Sequence, residues 1–277
     1  MAPAAGMSTG RVCAADERSV GWFDVSPDRE HRERVVATSW CPRCGADLVA
    51  PSVFDSAWRC GRHGPTLPLV EFHHLDAATM EHIRRQKEVP LWLPDPLPPG
   101  WLLAGLAAVG DGRSGFRATV TAFRGPGPLG GTGEWLIVAE EPGIGLGAGY
   151  AGGGDDSLQR AASGVPAAKI TVRGHPRAIW PVLEAAPDRS AYVGEAAGVW
   201  LWLVGLPADA GYAVLENLAI SDAGLRELPT VANADRSRWL RPGAGAPPVA
   251  SASEPPSAEP GTGAPPAAGP APPESDD

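Results

Sequence analysis

Basic residues are in short supply: 23 Lys and Arg stand against 32 Asp and Glu, a formal net charge of −9. A chain of that sign has no general attraction to a nucleic-acid backbone. Long apolar runs are missing as well. The longest, Val199 to Leu206, falls far short of the ~20 residues of a membrane span. The first 20 residues lack the apolar stretch of an export signal, and in Gly10-Arg11-Val12-Cys13 the arginine breaks any likeness to a lipoprotein box. The expectation is a cytoplasmic protein with no membrane partner. Catalytic side chains are equally sparse. Between residues 90 and 240 there is one histidine, His175, and no cysteine, and Ala162-Ser163-Gly164 is not the elbow of a serine hydrolase. Glu140 and Glu141 are adjacent in a strand and point to opposite faces. Asp155 and Asp156 have no histidine nearby. No enzyme is expected.

Gly and Pro, by contrast, are abundant at 35 and 31 residues, too many for one compact domain, so part of the 277-residue chain should not fold. There are only four cysteines, and three of them fall in one pattern. Cys41-Pro42-Arg43-Cys44-Gly45 is followed, after a spacer, by Cys60-Gly61-Arg62-His63-Gly64. Each half offers two ligands on a tight turn. Two such turns suit a metal better than a disulfide, and three thiolates with one imidazole make the closed tetrahedral set of a structural Zn2+ site. Iron of the rubredoxin type would want a fourth thiolate, so His63 favours zinc. The metal ligands are therefore expected to be Cys41, Cys44, Cys60 and His63. Val49, Val53, Phe54 and Trp58 in the spacer are available to cover the ion. Cys13 is left as a free thiol, which with a thiolate metal site points to a reducing compartment.

Taken in order, residues 1–38 lack periodicity and read as a disordered arm, the alternative being a protein start just before the ribbon. Residues 39–75 form the zinc ribbon. Residues 76–100 hold a short helix, Ala77 to Gln86 capped by Asp76, and a Pro-rich connector, Val89 to Gly100. His73, His74 and His82 nearby lack sulfur ligands and are read as a solvated linker and not as a second metal site. Residues 101–230 form an antiparallel α+β domain, with strands at Trp101–Val109, Phe116–Phe123, Glu134–Glu140, Lys169–Val172, Ala178–Leu183 and Gly198–Leu206. Phe116, Ala118, Val120 and Ala122 fall on one face, as do Trp200 and Trp202. Tyr212 to Ile220 fits a helix, with a strand as the alternative. Residues 231–277, chiefly Pro, Ala, Gly, Ser and acid from 241 onward, read as a disordered acidic tail. The fold class is thus α+β: a ribbon, a mainly antiparallel sheet, one or two helices and disordered termini.

Four runs carry a family resemblance: Cys41-Pro42-Arg43-Cys44-Gly45, Leu97-Pro98-Pro99-Gly100-Trp101, Gly125-Pro126-Gly127-Pro128-Leu129-Gly130 and Gly198-Val199-Trp200-Leu201-Trp202. Together they resemble an uncharacterised family of actinobacterial zinc-ribbon proteins, over about residues 39–230, and imply no particular activity. The second half alone, through Leu97 to Trp101, Thr171 to Ala178 and Gly198 to Leu201, is similar to a small α+β domain of some anti-sigma-type regulators. This chain departs from those regulators in lacking a membrane segment and in carrying a ribbon.

One stretch invites an enzymatic reading. Gly147-Ala148-Gly149-Tyr150-Ala151-Gly152 is a G-x-G-x-x-G inside the Gly-rich loop 143–154. A dinucleotide site needs a helix opening inside that motif and an acid about 20 residues on. Gly152-Gly153-Gly154 follows instead, so a mobile loop is expected. In the ribbon, Arg43, Arg59 and Arg62 are balanced by Asp47, Asp55, Glu71 and Asp76. The reading is a zinc-ribbon binding or adaptor protein, with a protein as partner and a regulatory role open. The alternatives are a nucleic-acid-associated ribbon factor or an enzyme working through the Gly-rich loop.

Overall fold

Trp135, Ile137 and Ala139 point to one face of a strand, Leu136 and Val138 to the other, and both sets are buried. A strand apolar on both faces must be covered twice, and the fold meets that demand. The structure, a computed structural model, describes residues 39–153, 161, 164–212, 218–223 and 235–243, all within one compact unit, Met1–Gly245. The strands are β1 (Ser39–Trp40), β2 (Arg59–Cys60), β3 (Gly64–Pro65), β4 (Leu69–Phe72), β5 (Trp92–Pro94), β6 (Leu102–Asp111), β7 (Gly115–Pro126), β8 (Thr132–Glu140), β9 (Ala168–Val172), β10 (His175–Pro181), β11 (Ser190–Ala196), β12 (Val199–Leu206) and β13 (Ala219–Asp222). Helices are α1 (Ala77–Gln86) and α2 (Leu146–Ala151), with short 3-10 turns at Ala208–Ala210 and Arg238–Leu240.

Eleven of these strands make one sheet in the order β1-β4-β6-β7-β8-β12-β11-β10-β9-β13-β5. Every pairing is antiparallel except that of β13 with β9. β2 and β3 form a separate hairpin. The fold is therefore α+β with a mainly antiparallel sheet and few helices. Strands on either side of the Pro-rich stretch share the sheet, because β4 pairs with β6 from Leu69↔Val109 to Phe72↔Leu106. The prolines of 89–100 mark no break in it: that extended stretch supplies β5 at the far edge.

The β5 segment also crosses the inner face of the sheet. Thr119 Oγ1 donates to Pro90 O at 2.6 Å and Thr121 Oγ1 to Trp92 O at 2.8 Å, so the far edge curls back over β7. Trp92 is fully buried there, with Phe123, Leu106, Ile137 and Ile179, and Trp101 stacks on Trp135 at 4.1 Å between ring centroids. Asp222 closes the curl: it accepts from Lys87 Nζ at 2.7 Å, Arg173 at 2.9 Å and the Leu91 N–H at 3.1 Å. Helix α1 seals the same side through Met80 and Ile83. Asp76 caps it by accepting from the Thr79 N–H at 2.8 Å, as the sequence leads one to expect.

Several elements differ from that expectation. Phe116 belongs with the inner core, whereas Ala118, Val120 and Ala122 line the outer one. The register shift between Val109 and Gly110 inserts an extra residue and flips the face. β11 is built from Ala191, Val193 and Ala196, too small a set to announce a strand. Of the stretch Tyr212–Ile220, residues 213–217 lie outside the described residues, while Ala219 and Ile220 are in a strand. The arm 1–38 and residues 231–234 and 244–277 of the tail also lie outside.

Residues 235–243, placed in the disordered tail from composition, are packed on the outer core. Leu240 is buried, its carbonyl accepts from Tyr150 Oη at 2.6 Å, and Ser237 Oγ donates to Glu134 at 2.5 Å. A single Leu240 removes enough apolar area from water to override a polar, proline-flanked context. A chain cut to residues 39–243 should melt within a few degrees of the full protein, because the removed ends lack periodic apolar residues. Ending the chain at 234 instead should cost about 3–5 kcal/mol, the loss of one buried leucine and its bonds. Thermal melts of the two forms check this.

Candidate metal centre

Both halves of the cysteine pattern are backbone turns fixed by glycine. Cys41 follows directly on β1; its N–H donates to Ala46 O and its carbonyl accepts from the Gly45 N–H, each at 2.8 Å. Gly45 takes φ +67, a conformation that costs a side chain energy. The second turn joins β2 to β3, with Cys60 ending the first strand and Gly64 at φ +71 opening the second. The four side chains converge. The donor atoms of Cys41, Cys44, Cys60 and His63 all lie within 4.8 Å of one another, the one such Cys/His cluster found among the described residues.

Individual separations test whether an ion fits. Cys44 Sγ and Cys60 Sγ are 3.8 Å apart, His63 Nδ1 is 3.4 Å from Cys41 Sγ and 3.7 Å from Cys60 Sγ. A tetrahedron with ~2.3 Å metal–sulfur bonds has edges of about 3.8 Å. The cluster can thus hold one metal ion through Nδ1 of the imidazole and three sulfurs. Burial pushes the Cys41 thiol up to about 12, although the N–H groups of Arg43 and Cys44 face it. At Cys60 burial opposes ionisation too, but the N–H groups of Arg62 and His63 outweigh it and draw the thiol down to about 6. A cation among these sulfurs favours all three thiolates and offsets the burial.

Of the four spacer residues expected to cover the ion, only Trp58 is even half-buried. Val53 and Phe54 are 95% and 96% exposed, and Val49 is 69% exposed. Cover comes from elsewhere, and nothing local in the sequence marks it. Arg43 reaches from inside the first turn to Gly143 O at 2.7 Å and Ile144 O at 3.3 Å. Arg241 donates to Gly45 O at 2.6 Å and lies over the Trp40 ring. The first turn is therefore gripped between the start of α2 and the C-terminal segment. His73, His74 and His82 assemble no second cluster: His82 packs edge-on against Phe72 and Phe116, His73 contacts Arg236, and His74 is exposed.

The Gly-rich stretch is a second surprise. It is no mobile loop up to Gly153: residues 146–151 form a helix with Leu146, Gly147, Tyr150 and Ala151 buried, while Gly154 lies outside the described residues. Its glycines are packing positions. A methyl on Gly147 would run into the Trp202 indole, and one on Gly149 would sit 2.5 Å from Pro42 O. The free amides that would hold a phosphate are already engaged: the N–H groups of Leu146 and Gly147 donate to the Glu140 carboxylate at 2.6 and 3.3 Å. Arg189 secures the other end, donating to Tyr150 O at 2.7 Å.

Burial pushes the Glu140 carboxyl from 4.5 up to about 7, the N–H groups of Leu146 and Gly147 pulling the other way. A carboxyl raised on folding holds its proton more tightly in the folded chain. Its contribution to stability is complete below about pH 4.5 and is lost as the pH rises towards 7. The decline should be on the order of 3 kcal/mol. Glu140→Gln should flatten it, read as the difference in denaturation midpoint between variant and parent from pH 5.5 to 8.

Fold and site together define an α+β protein that presents a Cys3His cluster able to hold a metal ion on the outer face of a curled, mainly antiparallel sheet. The chain belongs to the family of unknown function DUF6758, which matches residues 35–234. No curated protein and no solved structure matches it. Among the described residues, no helix is long and apolar enough to cross a membrane.

Proposed function

We propose that the cluster holds a structural zinc and that the chain is a cytoplasmic, non-catalytic binding or adaptor protein whose partner is another protein. The observation that carries this reading is that four protein donors converge on one point. With four protein ligands in place, no position is left for the bound water of a catalytic zinc. The ion then fixes a rigid ribbon, itself anchored to the sheet by Arg43 and Arg241. An enzyme acting through 143–154 is the weaker reading, since Glu140 takes up the amides a phosphate would need. The resemblance to actinobacterial zinc-ribbon proteins and to anti-sigma-type regulators supports a regulatory setting and rests on sequence alone.

A nucleic-acid-associated ribbon is the other alternative. Against it, Arg43 is turned onto backbone carbonyls and Arg59 pairs with Asp55, leaving Arg62 exposed. One such arginine gives little counterion release. Titration of labelled DNA and RNA at low salt should show no binding at micromolar concentration. Tighter binding that falls steeply with salt and needs Arg43, Arg59 and Arg62 would overturn the protein-partner reading.

A further inference from the structure

The three thiols of the cluster are not equivalent. Cys41 and Cys60 are shut away at 0% and 3% exposure, whereas Cys44 is only half-buried. An incoming oxidant reaches Cys44 first. Its sulfur already touches that of Cys60, at 3.8 Å across the gap between the two metal turns. Cys41 lies instead against the imidazole, with His63 Nδ1 3.4 Å from its sulfur. The spacer keeps the Cys44–Cys60 pair in reach whether or not an ion joins them. Val49 and Arg59 exchange backbone hydrogen bonds at 2.9 and 3.0 Å, and Arg59 pairs with Asp55. Much of the entropy lost in linking two residues 16 apart is therefore already lost in the folded ribbon.

We propose that Cys44 and Cys60 are a peroxide-sensitive pair, whose reversible disulfide empties the cluster and loosens the C-terminal segment 235–243. This rests on the reading of the cluster as a zinc site. A metal-held sulfur is a thiolate, the form that attacks peroxide. The Cys44 thiolate attacks one oxygen of hydrogen peroxide, the O–O bond breaks and hydroxide leaves, giving a sulfenic acid. The Cys60 thiolate then attacks the Cys44 sulfur, the S–S bond forms and a second hydroxide leaves. The two sulfurs lose two electrons, the peroxide gains them, and two solvent protons convert the hydroxides to water. Cys41 and His63 are left as donors, too few to complete a tetrahedral set. A dithiol reductant reverses the step by exchange, and transient disulfides of this kind are the usual ones in a reducing compartment. The effect reaches the C-terminal segment through Gly45. The sulfurs must close from 3.8 Å to the ~2.0 Å of a disulfide, drawing the first turn towards the second. That turn is fitted closely to the segment: Arg241 donates to Gly45 O at 2.6 Å, and a methyl on Gly45 would sit 2.0 Å from Pro242 O. Contacts so tight are lost when one side moves.

The test treats the full-length, zinc-loaded chain, freed of reductant, with hydrogen peroxide in about tenfold molar excess. Cys13→Ser is included in that chain, so that the thiols of the cluster are the only ones present. The expected result has three parts. A chromogenic chelator records about one zinc released per chain, and the non-reduced peptide map shows a single Cys44–Cys60 disulfide. Amide exchange in 235–243 becomes at least tenfold faster, while β8 and β12 are unchanged. Dithiothreitol with added zinc should restore all three. Four outcomes overturn the inference: zinc retained under peroxide, zinc lost with Cys44 carried to the sulfinic acid and no disulfide, a disulfide that uses Cys41, or unaltered exchange in 235–243. Failure of the zinc reading itself looks different: the reduced chain would carry no zinc before any peroxide is added.

Discussion

Cys41→Ser and Cys60→Ser should each leave the purified chain without zinc, where the parent carries about one ion per molecule. Loss of the ion should also unfold the ribbon. Structural zinc contributes on the order of 10 kcal/mol to a finger with no other core. This ribbon is partly supported, since Trp40 and Leu69 pack in the outer core of the sheet and β4 pairs with β6. The net loss should therefore be smaller, about 3–5 kcal/mol, equivalent to roughly 10 °C in melting temperature for a chain of this size. Hydrogen exchange should show the loss in residues 41–66 and in 235–243, because Arg241 binds Gly45 O. β8 and β12, at the centre of the sheet, should stay protected. Metal analysis together with exchange separates the possibilities. Full zinc in both variants, or iron in the parent, would remove the assigned ligand set.

Gly149→Ala should be strongly destabilising for so small a change. The added carbon would lie 2.5 Å from Pro42 O and 2.9 Å from Arg43 O, both backbone atoms of the first metal turn, which cannot rotate away. Alanine gains about 1 kcal/mol in a helix relative to glycine, but overpacking against fixed backbone costs about 1–3 kcal/mol and occasionally more. The balance should be a net loss of up to about 2 kcal/mol, with weakened zinc retention as the turn lifts from α2. Gly147→Ala should be comparably destabilising through Trp202, which is buried in the outer core. Gly61→Ala, with nothing within 4 Å of its added methyl, should be nearly neutral. Urea unfolding with zinc release in a chelator competition reads both effects. A glycine loop kept for a nucleotide would behave in the opposite way, losing ligand with little change in stability.

The ligand set was legible because metal chemistry is local. C-x2-C and C-x2-H each place two donors on one turn, so Cys41, Cys44, Cys60 and His63 can be named before any fold is known. Helix α1 was legible for the same reason, since Asp76 and the spacing of Met80 and Ile83 act within one or two turns. Most strands followed from alternation. Other features depend on residues far apart in the chain, and local pattern is silent there. Phe116 changed faces because its own strand β7 carries an extra residue, Arg117, opposite the step from Val109 to Gly110 of β6. Leu240 left an apparently disordered tail because a slot on the outer core fits it. The G-x-G-x-x-G run reads as a loop or a phosphate cradle until Trp202 and Pro42 are seen against its glycines.

By itself, then, the sequence determined the Cys/His cluster able to hold a metal ion, the α+β class and most of the elements, all set by interactions among near neighbours. Tertiary structure alone decided that β1 and β4 of the ribbon join the main sheet and that its far edge curls back over β7. It also decided that Arg43 and Arg241, about 100 and 196 residues from their partners, clamp the metal turn, while Val53 and Phe54 are left in solvent. The physical reason is that burial and backbone hydrogen bonding are satisfied globally. A side chain's final neighbours depend on which surfaces remain uncovered once the whole sheet has closed.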